Sequence, residues 1–148
     1  MDIGLRERVC VVTGSTAGIG LATARILAAE GARVVVTGRD SERVERARAD
    51  AGAALGVVAD LGEPAAAEEL IAAAGGLGPV DCLVNNVGIA YQASFDDLTD
   101  EQWDEMWQLN VMSFVRSIRA VLPSMLERSS GVIVNVSSTA AKRPSTRR

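Results

Sequence analysis

The chain has 148 residues and no histidine, and its formal net charge of -4 accompanies a sequence pI of about 4.9. The acidic balance argues against a nucleic-acid-binding protein, and the lack of histidine removes the commonest metal ligand, so we expect no metal site. No apolar run approaches the ~18 residues that a membrane-spanning helix needs, so we expect no membrane association.

The first predicted unit is a strand, a glycine-rich turn and a helix. An apolar run at residues 9–12 leads into Thr-Gly-Ser-Thr-Ala-Gly-Ile-Gly at residues 13–20, and an alanine-rich helical pattern follows at residues 21–30. Glycines let the backbone approach a ligand closely, and the first helical turn offers unpaired N–H groups to a phosphate. The unit therefore predicts an anion-binding turn. On this motif alone, a plain turn between a strand and a helix remains the alternative.

The next elements alternate between short apolar strands and helices. Residues 33–37, 55–59 and 80–84 are predicted strands, and a polar helix that Ser41 would cap spans residues 41–51. A further helix carries Pro64 in its first turn and ends at the glycine pair 75–76. Short apolar strands between helices indicate parallel strands buried on both faces, and a doubly wound α/β sheet is the leading topology.

The second half begins with an irregular loop and continues as one long helix. Thr99 and Gln102 predict a capping box, and apolar residues then recur at steps of three and four through residues 99–128. Pro123 is expected to bend or loosen the last turns. A fifth strand follows at residues 132–136, and the basic residues 142–148 are expected to form a flexible tail. A nucleic-acid-binding arm is the alternative for this tail.

The two cysteines, Cys10 and Cys82, both lie in predicted buried strands. Small core side chains in a reducing cytoplasm are the preferred interpretation, with a disulfide or metal site as the alternative. Residues 1–5 lack a basic segment followed by an apolar one, so we expect no signal peptide and a cytoplasmic protein.

Several motifs together resemble the short-chain dehydrogenase/reductase family. The glycines at 14, 18 and 20 are spaced as in the cofactor turn of that family, and Asn85-Asn86-Val87-Gly88 resembles its Asn-Asn-Ala-Gly turn, with Val87 replacing alanine. The matches continue in order to about residue 140. The resemblance implies a Rossmann-type doubly wound parallel sheet of strand order 3-2-1-4-5. It also implies one NAD(P)-binding domain over residues 1–148, which stops before strands 6 and 7 of the family.

The resemblance also implies roles for individual residues. Ser138 would donate a hydrogen bond to the substrate oxygen, and Asn110 would perturb its helix and hold a water in a proton relay. Strand geometry alone does not separate Ser138 from Ser137; the family places the catalytic serine second in the pair. The implied cofactor-binding residues are Gly14, Ser15, Thr16, Gly18, Ile19, Gly20, Arg39, Asp60, Leu61, Asn86 and Gly88.

The end of the second predicted strand bears on which cofactor is used. In dinucleotide folds an acidic residue here binds the ribose 2′-hydroxyl of NAD, whereas an arginine accommodates the 2′-phosphate of NADP. Arg39 therefore favours NADP, while Asp40, one residue later, keeps NAD possible. Ala17 stands where a basic residue often adds to NADP preference in the family, so this second support is missing.

The family transfers a hydride between a nicotinamide cofactor and a small alcohol or carbonyl substrate, usually as a homodimer or homotetramer, for which helix 99–128 is the expected interface. Its acid–base group is the tyrosine of a Tyr-x-x-x-Lys pair that lies beyond the serine. Here the only tyrosine is Tyr91, and the residue four positions later is Phe95 and not a lysine. The only lysine is Lys142.

Two hypotheses follow: the chain is the N-terminal portion of an oxidoreductase, or it is a catalytically inactive dinucleotide-binding fragment. A Tyr-x-x-x-Lys codon pattern downstream in the encoding DNA would distinguish them.

Overall fold

A computed structural model describes residues 3–139, and the tail predicted for residues 142–148 lies outside these described residues. Strands and helices alternate along this part of the chain. In chain order they are β1 (Val9–Val12), α1 (Gly18–Ala29), β2 (Arg33–Gly38), α2 (Ser41–Ala51), β3 (Leu55–Val58), α3 (Ala66–Gly75), β4 (Val80–Asn85), a 3-10 turn (Phe95–Asp97), α4 (Asp100–Trp107), a π-helical turn (Gln108–Met112), α5 (Ser113–Glu127) and β5 (Val132–Asn135).

The strands form one parallel sheet in the order β3-β2-β1-β4-β5, as predicted. In this register Val12 pairs with Val36 on one side and with Val84 on the other. Because every strand runs in the same direction, the segments that follow the strands meet at one edge of the sheet. That edge is where open α/β sheets bind their ligands.

The middle residues of the central strands are apolar because helices cover both faces of the sheet. Val11 and Leu83 pack with α3 and α5 on one face, whereas Val12 and Val34 pack with α1 and α2 on the other. Successive side chains of a strand point to opposite faces, so the middle of a strand that is covered on both sides is apolar at consecutive positions. The cores keep the carboxyl ends of the strands in register.

Two local expectations differ from the structure. Asp40, not Ser41, is the N-cap of α2, and its carboxylate accepts a hydrogen bond of 2.8 Å from the Arg43 N–H. The aspartate precedes the first helical residue, so its oxygen reaches the unpaired N–H groups of the first turn. Pro64 lies in the turn before α3, which begins at Ala66.

The predicted helix over residues 99–128 is present but consists of three segments. Thr99 and Gln102 form the predicted capping box at the start of α4. A π-helical turn interrupts the helix at Gln108–Met112, and α5 then continues through Pro123 to Glu127. Within residues 3–139, none of the helices combines the length and apolar character that crossing a membrane would require.

Cys10 and Cys82 are register partners on β1 and β4, and both are free thiols. Cys10 is buried, whereas Cys82 is only half-buried, in contrast to the expectation for its strand. The hydrogen bond with Cys82 and then burial raise the pKa of Cys10. This thiol therefore stays protonated and acts as a small apolar side chain of the core.

Candidate functional site

A cleft of about 430 Å³ opens at the carboxyl edge of the sheet. The segments that follow β1, β2, β3 and β4 all contribute to its walls. Seven of the predicted cofactor-binding residues line it, namely Gly14, Thr16, Arg39, Asp60, Leu61, Asn86 and Gly88. Residues without a predicted role also line it: Thr37, Gly38, Asp40, Arg43, Ala59, Val87, Ile89 and Leu109.

Two glycines of the first turn are required by close packing. Gly14 has φ of +60°, and a Cβ on it would lie 2.9 Å from the Val87 Cα atom. A Cβ on Gly20 would lie 2.4 Å from the Gly14 carbonyl oxygen and 2.5 Å from Asn86 Nδ2. These distances are shorter than van der Waals contact, so larger residues would push the turn away from the β4 edge.

Thr13, which was not among the predicted site residues, connects the first turn to the end of β4. Its buried hydroxyl oxygen accepts hydrogen bonds of 2.9 Å from the Asn86 N–H and 3.0 Å from the Val87 N–H. Asn86 Nδ2 donates in return to the carbonyl oxygens of Thr13 and Gly14, at 3.0 and 3.1 Å. These bonds fix the two sides of the cleft relative to each other.

Ser15, Gly18, Ile19 and Gly20 do not line the cleft. The buried Ser15 hydroxyl donates to the Val12 carbonyl at 2.7 Å and accepts from the Thr37 N–H at 2.9 Å, so it supports the turn from behind. The other three form the first turn of α1, whose N-cap residue, Ala17, makes no side-chain cap hydrogen bond. A phosphate contact of this turn stays a prediction.

Two arginines flank the cleft beyond β2. Arg39 was predicted, and Arg43, in the first turn of α2, lines the same cleft. Neither guanidinium forms a salt bridge with a carboxylate in the part of the chain that the structure describes. Asp40, by contrast, uses its carboxylate to cap α2. The wall beyond β2 therefore offers positive charge.

The loop after β3 forms the next wall of the cleft. The Asp60 carboxylate accepts a hydrogen bond of 3.0 Å from the Gly62 N–H, which closes a tight turn. Leu61 is 3% exposed and packs into the core beside α3. Asp60 is exposed at the rim, so the turn directs a carboxylate towards the cleft while Leu61 anchors the loop.

Asn110 lies behind the end of β4, in the π-helical turn. Its Oδ1 accepts from the Ile89 N–H at 2.8 Å and its Nδ2 donates to the Ile89 carbonyl at 2.9 Å. A Cβ on Gly88 would lie 2.8 Å from Asn110 Oδ1, so only glycine fits at this position without displacement. The helix is perturbed at Asn110, as the resemblance implied; the water-holding role of Asn110 stays a prediction.

The end of β5 is attached to β4 by two further bonds. Asn85 Nδ2 donates to Asn135 Oδ1 at 2.9 Å, and the Val136 N–H donates to the Asn85 carbonyl at 2.8 Å. Ser137 and Ser138 follow, both exposed, at the same edge of the sheet as Gly14. This arrangement suits the predicted role of Ser138 but does not separate it from Ser137.

Tyr91 does not have the environment of a general acid. Its hydroxyl donates a short hydrogen bond to the Glu105 carboxylate. This bond raises the pKa of Tyr91, because it stabilises the phenol and places a negative charge beside a phenolate. A tyrosine that supplies a proton near neutral pH needs the opposite shift.

The single tyrosine makes this environment measurable. We expect the Tyr91 phenol, followed by ultraviolet absorbance during alkaline titration, to ionise above the ordinary tyrosine pKa of about 10. Glu105→Gln should lower the midpoint towards the ordinary value, whereas Asp104→Asn should leave it unchanged. A wild-type midpoint below the ordinary value would contradict the assigned environment. Circular dichroism identifies the pH range in which the fold persists.

Within residues 3–139, no group of three or more Cys, Asp or Glu side chains is arranged to hold a metal ion. The cleft itself offers backbone N–H groups, two arginines, a carboxylate and amide side chains. These groups are the ones that bind phosphates and ribose hydroxyls in dinucleotide folds.

Comparisons with known proteins agree with this geometry. Residues 8–148 match the profile of the family described as short chain dehydrogenase. The oxidoreductase YvrD of Bacillus subtilis (strain 168) is 42% identical over 147 residues, covering 97% of this chain and 56% of that protein. The D-beta-hydroxybutyrate dehydrogenase of Cupriavidus necator is 39% identical over 140 residues, covering 91% of this chain and 54% of that protein. The chain thus spans just over half the length of these curated relatives.

Solved structures superpose closely on the chain. L-sorbose reductase from Gluconobacter frateurii, complexed with NADPH and L-sorbose, has a TM-score of 0.91 and 34% identity, covering 99% of this chain and 58% of that one. A 3-oxoacyl (acyl-carrier-protein) reductase from Agrobacterium tumefaciens with NADP bound has a TM-score of 0.87 and 34% identity, covering 98% and 58%. The similarity therefore extends over almost the whole of this chain.

Proposed function

The chain belongs to the short-chain dehydrogenase family, and we propose that it is the cofactor-binding portion of an oxidoreductase that transfers a hydride between NADP and a small alcohol or carbonyl substrate. The observation that carries the proposal is the cleft at the carboxyl edge, where the first glycine turn, two arginines and the Asn86 turn converge. The reductases described above with NADP or NADPH bound support the choice of cofactor.

The cleft and the helix turn beside it fit an adenosine phosphate. The first turn of α1, which packs on Gly14 and Asn86 and has no side-chain cap, would bind the pyrophosphate, and Asp60 at the rim of the cleft would contact the adenine. Arg39 and Arg43 suit a 2′-phosphate because each guanidinium can donate two parallel hydrogen bonds to phosphate oxygens. Asp40 is held by α2 and so competes poorly for a ribose hydroxyl.

The bound cofactor would supply the hydride at its nicotinamide ring. Ser138 would orient the substrate oxygen by donating a hydrogen bond, and Asn110 would hold the backbone of Ile89 behind the cleft. The protein would keep the glycine turn in place through Thr13 and Asn86. None of these side chains supplies a proton near neutral pH, so the acid–base step needs a further group.

The second hypothesis is a dinucleotide-binding fragment without catalysis. It is favoured by the raised pKa of Tyr91 and by the absence of any Tyr-x-x-x-Lys pair from the 148 residues. Both hypotheses share the cofactor cleft and differ in whether a tyrosine and lysine act with it. Reading the encoding DNA downstream in all three frames distinguishes them.

The choice between NADP and NAD can be tested at the wall beyond β2. We expect the chain to bind NADPH at least about tenfold more tightly than NADH in a fluorescence titration, because a phosphate–arginine pair is a strong charge-assisted contact. Arg39→Ala and Arg43→Ala should each weaken NADPH binding about tenfold and leave NADH binding nearly unchanged.

Arg46→Ala is the matched control, because Arg46 lies one turn further along α2, outside the cleft, with its side chain 77% exposed. It should affect neither nucleotide. Equal affinity of the wild type for NADPH and NADH, or equal losses in all three variants, would contradict the NADP assignment.

We also propose that two copies of the chain associate through the helices α4 and α5. Large apolar side chains remain exposed along these helices at Trp103, Trp107, Val115, Leu122 and Leu126. Pairing with a second copy would remove this surface from water.

We also propose a cytoplasmic location for the protein, since the free thiols of Cys10 and Cys82 suit a reducing compartment.

A further inference from the structure

Arg116, on α5, connects two segments that are far apart in the sequence. Its Nη1 donates to the Gly62 carbonyl oxygen at 3.2 Å, and its Nη2 donates to Gln108 Oε1 at 2.8 Å. The side chain is half-buried, and within the described residues no carboxylate forms a salt bridge with it. Its charge therefore strengthens hydrogen bonds to two neutral oxygens.

The π-helical turn explains why Gln108 and Arg116 meet. In an uninterrupted α-helix, residues eight apart lie about 80° from each other around the axis. A π-turn takes up one extra residue, so Gln108 and Arg116 are placed like residues seven apart, within about 20° of the same face. Gln108 Nε2 also contacts Asp104 Oδ1 at 3.4 Å, which orients the amide oxygen towards Arg116.

The bond to Gly62 acts on the loop that forms the β3 wall of the cleft. The Gly62 N–H donates to the Asp60 carboxylate, and the Glu63 N–H donates to the Asp60 carbonyl at 2.9 Å. A Cβ on Gly62 would lie 3.7 Å from the Leu109 side chain, so the loop packs on the π-turn. Arg116 donates hydrogen bonds both to this loop and to the π-turn, and so joins the two segments.

We propose that Arg116 is a positioning residue for the adenine side of the cofactor cleft. By holding the Gly62 carbonyl, it fixes the turn that presents Asp60 to the ligand and that Leu61 anchors in the core. The π-turn that carries Asn110 would thereby also set the geometry of the β3 loop. The inference rests on the proposed function, because it concerns binding of the adenosine half of the cofactor.

The test uses the 148-residue chain and adenosine 2′,5′-bisphosphate, which represents the adenosine half of NADP. Arg116→Met keeps the apolar stem and removes both donors. We expect its dissociation constant in isothermal titration calorimetry to rise about tenfold, the effect expected if the displaced Asp60 carboxylate loses one charge-assisted hydrogen bond to the adenine. Arg116→Lys, with one donor group that can reach a single oxygen, should show an intermediate loss.

Hydrogen exchange provides a readout that needs no ligand. The amides of Gly62 and Glu63 should exchange faster in Arg116→Met than in the wild type, because their acceptor, Asp60, is less fixed. Arg119→Met is the matched control: Arg119 is exposed on the same helix, and its replacement should change neither affinity nor exchange. Circular dichroism defines a temperature at which all variants are fully folded.

Weaker binding and faster exchange must occur together in Arg116→Met, and either change without the other overturns the proposal. A loss in Arg119→Met as large as in Arg116→Met also overturns it, because the effect would then be one of general charge. A wild-type chain that does not bind the bisphosphate overturns the cofactor site itself. Wild-type binding with an unaffected Arg116→Met overturns the role of Arg116 alone.

Discussion

The 148-residue chain on its own is expected to show no measurable oxidation of NADPH with ketones or quinones. Reduction of a carbonyl requires a proton donor whose pKa lies near neutrality, and loss of general acid catalysis typically lowers a rate by about 10²–10⁴. The chain has no histidine, and the bond to Glu105 raises the pKa of its only tyrosine, Tyr91. Ser138 can orient a carbonyl but is too weak an acid to replace a tyrosine.

The assay follows NADPH absorbance with a panel of ketones and quinones, at protein concentrations that saturate the cofactor. The D-beta-hydroxybutyrate dehydrogenase of Cupriavidus necator, assayed with its own cofactor, is a suitable positive control from the same family. Turnover by the 148-residue chain that disappears in Ser138→Ala would contradict the prediction. It would require an acid that the described residues do not provide.

Gly20→Ala is expected to abolish NADPH binding and to lower the free energy of unfolding by about 1–3 kcal/mol, the usual cost of overpacking. The added Cβ would lie 2.4 Å from the Gly14 carbonyl oxygen and 2.5 Å from Asn86 Nδ2. The carbonyl belongs to backbone and cannot rotate away. The first turn must therefore move as a whole, and its N–H groups leave the position that a phosphate would need.

Gly75→Ala is the control for this variant. Gly75 is the last residue of α3, and a Cβ there would meet no atom within 4 Å, so its replacement should leave binding and stability nearly unchanged. NADPH fluorescence measures binding, and urea unfolding measures stability. Wild-type affinity in Gly20→Ala would show that the turn tolerates a Cβ and that its glycine is not required by packing.

The β5 edge affects how the chain behaves in these experiments. β5 pairs only with β4 among the described strands, and Val132 and Val134 are 56% and 43% exposed. An outer strand with exposed apolar side chains favours association with other chains. Binding constants should therefore be measured at several protein concentrations.

Local sequence patterns were sufficient to predict the order of the elements. The apolar run before the glycine turn and the Thr99 capping box depend only on residues within a few positions of each other, and both are present. Such patterns place the end of a helix to within about one residue: the N-cap of α2 is Asp40, one residue earlier than the predicted Ser41. The strand order was expected from the alternation of strands and helices and from the motifs at the strand ends, because periodicity alone does not specify which strands pair.

The residues of the candidate site are also of two kinds: some were predicted from local sequence patterns, and others have roles that depend on long-range contacts. Glycine spacing and strand ends, which can be read locally, predicted Gly14, Arg39, Asp60 and Asn86 as candidates, and the parallel sheet brings them to one cleft. Their contact with a cofactor stays a prediction. The role of Thr13 depends on contacts with residues 73 and 74 positions away, and the bond from Arg116 to Gly62 spans 54 positions. Neighbouring residues along the chain carry no signal for such pairs. Only the packing of α5 and the loop after β3 against the π-turn decided that Arg116 and Gly62 would meet.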